Sequence, residues 1–167
     1  LSPGPGKTFC DGTTGGGGHL AAIVATGARA IGIDRDPDAL AAARARLGPD
    51  VRLVHARYSE MADVLAGERV DGIVLDLGVS SPQFDRAERG FSFSKPGPLD
   101  MRMDPTRGPT ARELIAQLTA DELADVIREL GEERHAKRIA RMIKEAEPAT
   151  TTELAELAAR AIPAAEQ

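Results

Sequence analysis

The chain has 167 residues, 42% of them apolar, enough for one ordinary domain or one domain and part of a second. Aromatics make up 3% and Trp is absent, so the core must be Leu, Ile, Val and Ala, and no run approaches the roughly 20 apolar residues of a membrane span. A net charge of −5 argues against broad attraction to nucleic acid but leaves room for a local basic face.

The single cysteine, Cys10, rules out an internal disulfide and fits a reducing, cytoplasmic setting. Leu1–Lys7 contains no apolar segment of the signal-peptide kind, so none is expected there.

In chain order, Thr8–Asp11, Ala30–Asp34, Val51–His55 and Val70–Asp76 read as four short strands. Ile73-Val74-Leu75 is wholly apolar, the pattern of a strand buried on both faces of a parallel sheet. Helix-type runs lie between the strands. The clearest is Pro37–Leu47, with Asp36 as N-cap and Pro37 at the first helical position. Ser59 is a candidate cap for another. Strand–helix alternation with short links points to βαβ units and a parallel sheet with helices on both faces.

From Leu77 to Arg107 no period holds, and Gly, Pro, Ser, Asp and Arg dominate. Phe84, Phe91, Phe93, Leu99, Met101 and Met103 are interleaved with the charges, which favours an ordered functional loop over disorder. Beyond Gly108 the pattern is helical. Thr110-x-x-Glu113, Thr119-x-x-Glu122 and Thr150-x-x-Glu153 have the spacing of capping boxes, with Thr151-x-x-Leu154 as the competing start of the last helix. These patterns divide the chain into 1–107, a nucleotide-binding α/β part with a long loop, and 108–167, a helical part.

Asp11-Gly12-Thr13-Thr14-Gly15-Gly16-Gly17-Gly18-His19 follows the first strand and opens a helix. Glycines there permit tight turns and close approach to a ligand. Asp34 ends the second strand 23 positions after Asp11, where nucleotide-binding folds place an acid on ribose hydroxyls. The alternative is a flexible turn followed by a helix cap. The dinucleotide signature G-x-G-x-x-G fails because Leu20 stands where the third glycine belongs, and no Gly-Lys-Ser/Thr follows. An acid followed by glycines suits S-adenosylmethionine, which has no pyrophosphate and carries two cations that carboxylates favour. His19 has no second His or Cys at ligand spacing, so no metal is expected. It reads as a positioning group or a simple helix-start ring.

Past the fourth strand come D-L-G-V-S-S-P-Q-F from Asp76, E-R-G-F-S-F from Glu88, G-P-L-D-M-R-M-D-P from Gly97 and G-E-E-R from Gly131. With the glycine run, these resemble the bacterial family of 16S rRNA cytosine-N4 methyltransferases, the MraW-type enzymes, from about Thr8 to about Pro163. The resemblance implies a Rossmann-like class I S-adenosylmethionine-dependent methyltransferase fold, its parallel sheet incomplete here, with an inserted all-helical subdomain. It implies that Gly17, Gly18 and His19 contact the cofactor, that Asp34 holds its ribose, that Tyr58 packs on the adenine, and that Asp76 and Gln83 complete the site. Without it Tyr58 would read as a half-exposed core ring. It further implies 16S rRNA or the small ribosomal subunit as partner, with no membrane.

Ser81-Pro82-Gln83-Phe84 looks like the S-P-P-aromatic motif of amino-methylating DNA enzymes, with Gln83 in place of the second Pro. Ser81 and Phe84 are therefore the catalytic candidates. The rigid proline would fix backbone acceptors, and Phe84 would stack on the extruded base. The other reading is an ordinary turn with Phe84 as a loop anchor. Arg134, Lys137, Arg138 and Arg141 recur at helical spacing opposite Ile139, Met142 and Ile143, either a solvated face or a phosphate contact. Arg86, Arg89, Arg102 and Arg107 could extend that surface, or could pair with Asp100 and Asp104 to order the loop.

The chain departs from the family in lacking an N-terminal H-x-P-V segment and a later S-F-H-S-L-E-D-R string, and Gly16 replaces a common Arg. Four strands are half of the family's sheet and leave an edge unpaired. The chain is expected to be a fragment, or to complete its fold with a partner, a second copy being one candidate. Two competing functions follow: a non-catalytic S-adenosylmethionine-binding module, and an NAD-linked oxidoreductase.

Overall fold

The computed structural model describes residues 1–162. They form two compact units, Leu1–Gly78 and Val79 onward.

The first unit is a four-stranded parallel sheet of order β3-β2-β1-β4, with β1 Thr8–Asp11, β2 Arg29–Asp34, β3 Arg52–His55 and β4 Gly72–Val74. Side chains alternate along each strand, so each contributes to both faces. Phe9 and Ala30 join Leu20 and Ile23 of α1 (Gly18–Val24) and Leu47 of α2 (Pro37–Leu47) on one face. Cys10, Ile31 and Ile33 meet Met61, Val64 and Leu65 of α3 (Met61–Leu65) on the other. Gly32 makes the first face close-packed. A Cβ there would lie 2.6 Å from Leu20 Cδ1 and 2.6 Å from Leu53 Cδ2. Asp36 caps α2 as its sequence indicates, its carboxylate accepting from the Asp38 amide at 3.0 Å.

Two expectations shift. Ser59 does not cap a helix. It lies inside a 3-10 turn, Tyr58–Glu60, closed by the Arg57 amide donating to the Glu60 carboxylate at 2.7 Å, and α3 starts only after it. The fourth strand is shorter than its apolar run. It pairs only with β1, from Phe9 opposite Gly72 to Asp11 opposite Val74, and β1 itself ends at Asp11. It is also not buried: Ile73 is 48% and Leu75 47% exposed, because no further strand lies against this edge among the described residues.

In the second unit, α4 (Ser81–Asp85) and a 3-10 turn (Ala87–Arg89) lead into a loop, followed by α5 (Ala111–Gln117), α6 (Ala120–Gly131), α7 (Ala136–Ala146) and α8 (Thr151–Ala161). Leu123, Ala124, Ile139, Ala140, Ile143 and Ala161 form the helical core. The loop before α5 groups with these helices. Its order is polar as much as apolar. Leu99 is buried and Phe91 and Met103 half-buried, whereas Phe93 is 72% exposed. The Arg102 guanidinium grips Asp100 at 2.9 and 2.7 Å and holds that carboxyl below the usual carboxylate range. Arg89 donates to the carbonyls of Arg102 and Met103, and Arg107 lies 3.8 Å from Asp104. The ion-pair reading of these arginines is therefore the one realised for Arg102 and Arg107.

All three Thr-x-x-Glu boxes form. Thr110, Thr119 and Thr150 accept from the amides of Glu113, Glu122 and Glu153, and each glutamate reaches back to its threonine's amide. Thr151 is instead buried, its hydroxyl donating to the Lys95 carbonyl. Thr150→Ala is expected to cost about 1 kcal/mol, since the Glu153 amide loses its acceptor. A chemical-denaturation series should show that loss, and no change would refute the capping role.

Candidate cofactor site

Each strand of the sheet runs the same way, and the chain steps from β1 to β2 to β3 before returning to β4 on the other side of β1. The order reverses between β1 and β4. In open parallel sheets the crevice beyond the carboxyl ends at that point is where ligands bind. Asp11 ends β1, Asp34 ends β2 and Asp76 follows β4.

The glycine loop is stitched to all three ends. The Gly12 amide donates to the Val74 carbonyl at 3.0 Å, and the Asp76 amide donates to Thr13 Oγ1 at 2.7 Å, fixing the loop to the end of β4. On the opposite side, the Thr14 amide and hydroxyl both donate to the Ile33 carbonyl at 3.1 Å. The Gly15 amide donates to Asp34 Oδ2 at 2.7 Å, and the Asp36 amide to Oδ1 at 2.9 Å. Asp34 thus shapes the loop with one lone pair per oxygen and keeps the others for a ligand.

Asp11 is wholly buried. The Thr13 amide and hydroxyl donate to its Oδ1 at 2.9 and 3.3 Å, while Oδ2 has no partner among the described residues. Burial pushes its carboxyl above the ordinary value of 3.8, and the Thr13 amide and nearby His19 offset part of that rise. A buried carboxylate oxygen without a donor is costly unless a cation or donor arrives. Its neighbour Cys10 is chemically quiet, the thiol pushed up to about 11 chiefly by burial.

Two glycines have identifiable work. Gly17 has φ +79°, and a Cβ there would press within 3.3 Å of Ala43, so α1 and α2 pack through it. A Cβ on Gly12 would strike Leu75 Cδ2 at 2.6 Å, Met61 Cε at 2.8 Å and Tyr58 Cβ at 3.1 Å. That closeness seats half-exposed Tyr58 directly beside the loop. Gly16 faces open space, so the position that commonly carries Arg in the resembling family has room for one. Gly18 and His19 are exposed at the start of α1.

The first unit therefore gathers Gly17, Gly18, His19, Asp34, Tyr58 and Asp76 around one glycine loop. Ser81, Gln83 and Phe84 lie on α4 of the second unit. Ser81 and Phe84 are exposed, and Gln83 is buried with its Oε1 accepting from the Ser80 amide at 3.0 Å. Sequence reasoning missed Thr13 and Thr14. Their only signal was two β-branched hydroxyls placed among glycines, and their partners come from strands distant in sequence.

Three carboxylates and a backbone turn, one of them with an orphaned oxygen, suit a cationic nucleoside better than a pyrophosphate. The sequence pattern of the MraW methylase family matches residues 1–167. The chain belongs to the MraW methylase family. It is 54% identical over 166 residues to "Ribosomal RNA small subunit methyltransferase H" of Myxococcus xanthus (strain DK1622), covering 98% of this chain and 54% of that protein. Proteins with the same name from Anaeromyxobacter sp. (strain K) and Brucella canis (strain ATCC 23365 / NCTC 10854 / RM-666) are each 50% identical. Those matches cover 98% and 91% of this chain but 56% and 47% of the relatives. The chain spans about half the length of the curated relatives it matches. Membership in the MraW family removes the NAD-linked oxidoreductase, and the parallel α/β sheet is the Rossmann-like one expected of a methyltransferase.

Proposed function

We propose that the chain carries the S-adenosylmethionine site of a cytoplasmic methyltransferase acting on the N4 amine of a cytidine in the decoding region of 16S rRNA, as free RNA or within the small ribosomal subunit. The observation that carries the reading is the orphaned oxygen of Asp11 beneath a glycine loop flanked by Asp34 and Asp76. When bound, the cofactor supplies an electrophilic methyl group. Asp11 and Asp76 would balance its positive charges, with exposed Gly18 and His19, set at the start of α1 by the left-handed turn at Gly17, positioning its amino-acid end. Asp34 would take the ribose hydroxyls on its free lone pairs, and Tyr58 would cover the adenine.

The exocyclic amine of cytosine is a poor nucleophile because its lone pair is delocalised into the ring. A carbonyl acceptor aimed at the N–H localises that lone pair and stabilises the charge that develops. In this reading Ser81 and Pro82 set such an acceptor, Gln83 braces the turn that holds it, and exposed Phe84 stacks on the extruded base.

A second reading is a cofactor-binding module without turnover. It draws on the same glycine loop, Asp34 and Asp76, which would hold a cofactor whether or not a methyl group is then transferred. Calorimetric titration with S-adenosylmethionine is expected to give 1:1 binding, with no heat from NAD, and Asp34→Ala to weaken it about tenfold or more by loss of charge-assisted hydrogen bonds. Transfer of labelled methyl to undermethylated small subunits then separates enzyme from module. Binding of NAD but not S-adenosylmethionine would defeat both readings.

A further inference from the structure

We propose that the exposed face of α7 bearing Lys137, Arg138 and Arg141 docks the phosphate backbone of the RNA substrate, an inference that rests on the RNA-methyltransferase reading. Ala136, Ile139, Ala140 and Ile143 turn the other face of this 11-residue helix into the helical core. The three cations are all exposed. Among the described residues, no ion pair or hydrogen bond engages their side chains.

Their placement works against the helix. Lys137 and Arg141 are four apart and Arg138 and Arg141 three apart, so like charges face each other along one stripe. Lys137 and Arg138 also stand in the first turn, where the helix dipole disfavours positive charge, and the nearest acid, Glu133, spends its carboxylate on the His135 amide at 2.7 Å. Other cations nearby have structural partners. Lys144 donates to the carbonyls of Ile115 and Ala116 at 2.8 and 3.3 Å, closing the end of α5, and Arg128 pairs with Asp125 at 2.7 Å. Arg134, just before the helix, has interactions of its own. Among the described residues, the cations of α7 that neither an acid nor a carbonyl engages are therefore these three, in a chain whose net charge is −5, with exposed Glu145 one turn beyond Arg141. A row of phosphates relieves mutual repulsion among such cations, and RNA is the polyanion that this chain's proposed chemistry requires.

The test uses the full chain with a 16S rRNA transcript, binding being followed against salt concentration. Lys137→Gln, Arg138→Gln and Arg141→Gln together are expected to weaken binding at least tenfold near 0.1 M salt. The slope of log affinity against log salt should fall by about two, given roughly 0.7 for each phosphate that a cation neutralises on a single strand. Lys137→Arg with Arg138→Lys and Arg141→Lys should retain both affinity and slope. Helical circular dichroism and S-adenosylmethionine binding should stay as in the parent for both variants, with the glutamine variant no less heat-stable. An unchanged slope would overturn the proposal, as would equal losses in the charge-preserving variant. If the parent binds S-adenosylmethionine but no RNA, the RNA reading falls and this inference with it. If it binds RNA but no cofactor, the cofactor reading fails while the salt slope still decides the role of α7.

Discussion

Asp11→Asn is expected to weaken S-adenosylmethionine binding by about tenfold to a hundredfold, the span set by a charge-assisted hydrogen bond of roughly 1.5–3 kcal/mol, while leaving the fold at least as stable. Two opposite effects meet at this one side chain. Among the described residues no donor reaches the buried Oδ2, so its ionised form is held at a desolvation cost larger than that of a neutral amide of the same shape. On the proposed reading the same oxygen would balance a cation of the bound cofactor, a charge the amide cannot supply. The pH dependence separates the two. Burial raises the Asp11 carboxyl above its ordinary 3.8, so its contribution to stability is full below that value and is lost as pH rises through the raised one. Cofactor affinity should climb over the same interval, because the ligand favours the ionised form. In Asp11→Asn both trends should flatten. Calorimetry across roughly pH 4 to 8, paired with denaturation midpoints, reads both. An unchanged dissociation constant in the variant would remove Asp11 from the site.

Which features were readable in the sequence depends on how local their causes are. The Thr110, Thr119 and Thr150 caps were legible because both partners of each hydrogen bond lie within four residues. The same rule covers Ser80-x-x-Gln83, a local helix-start signal obscured by its overlap with the catalytic candidate Ser81-Pro82-Gln83-Phe84. The strand run ending at Asp76 was visible, but its burial was not. Whether Ile73 is covered depends on what pairs with β4, and no property of Ile73-Val74-Leu75 encodes that. Thr13 and Thr14 were invisible for a related reason. Their hydroxyls meet Asp76 and Ile33 only because β2 and β4 flank β1, and strand order is a property of the assembled sheet. Asp34 fell between these cases. Its distance from Asp11 marked it as a ligand group, yet its bond to the Gly15 amide gives it an architectural duty as well.

The glycines of the loop before α5 divide the causes of a glycine requirement, and their replacement should rank accordingly. Gly97 has no unusual φ, but a Cβ there would sit 2.0 Å from the Ala87 carbonyl oxygen, while its own carbonyl accepts from the Thr151 amide at 3.0 Å. The loop is pinned on both sides by backbone, which cannot rotate aside as a side chain does. Gly97→Ala should therefore cost about 3 kcal/mol, the upper range for overpacking. Gly108 is the reverse case: φ is +79° but a Cβ meets nothing within 4 Å. Gly108→Ala should cost only the left-handed strain of about 1 kcal/mol. Gly90 combines both, with φ +74° and a Cβ that would lie 2.3 Å from the Pro98 carbonyl oxygen. Gly90→Ala should cost about 4 kcal/mol, from overpacking and backbone strain together. At roughly 5 °C per kcal/mol for a unit of this size, melting of the helical unit should fall by about 20, 15 and 5 °C for Gly90, Gly97 and Gly108. Cofactor binding by the first unit reports whether that unit stays folded in each variant. The ranking also explains why the E-R-G-F-S-F and G-P-L-D-M-R-M strings share one loop: Gly90 lets the backbone of Pro98–Met101 pass, and Gly97 lets that of Ala87, just before Glu88, pass. Equal losses at Gly97 and Gly108 would show that backbone strain, not this crossing, is what the glycines relieve.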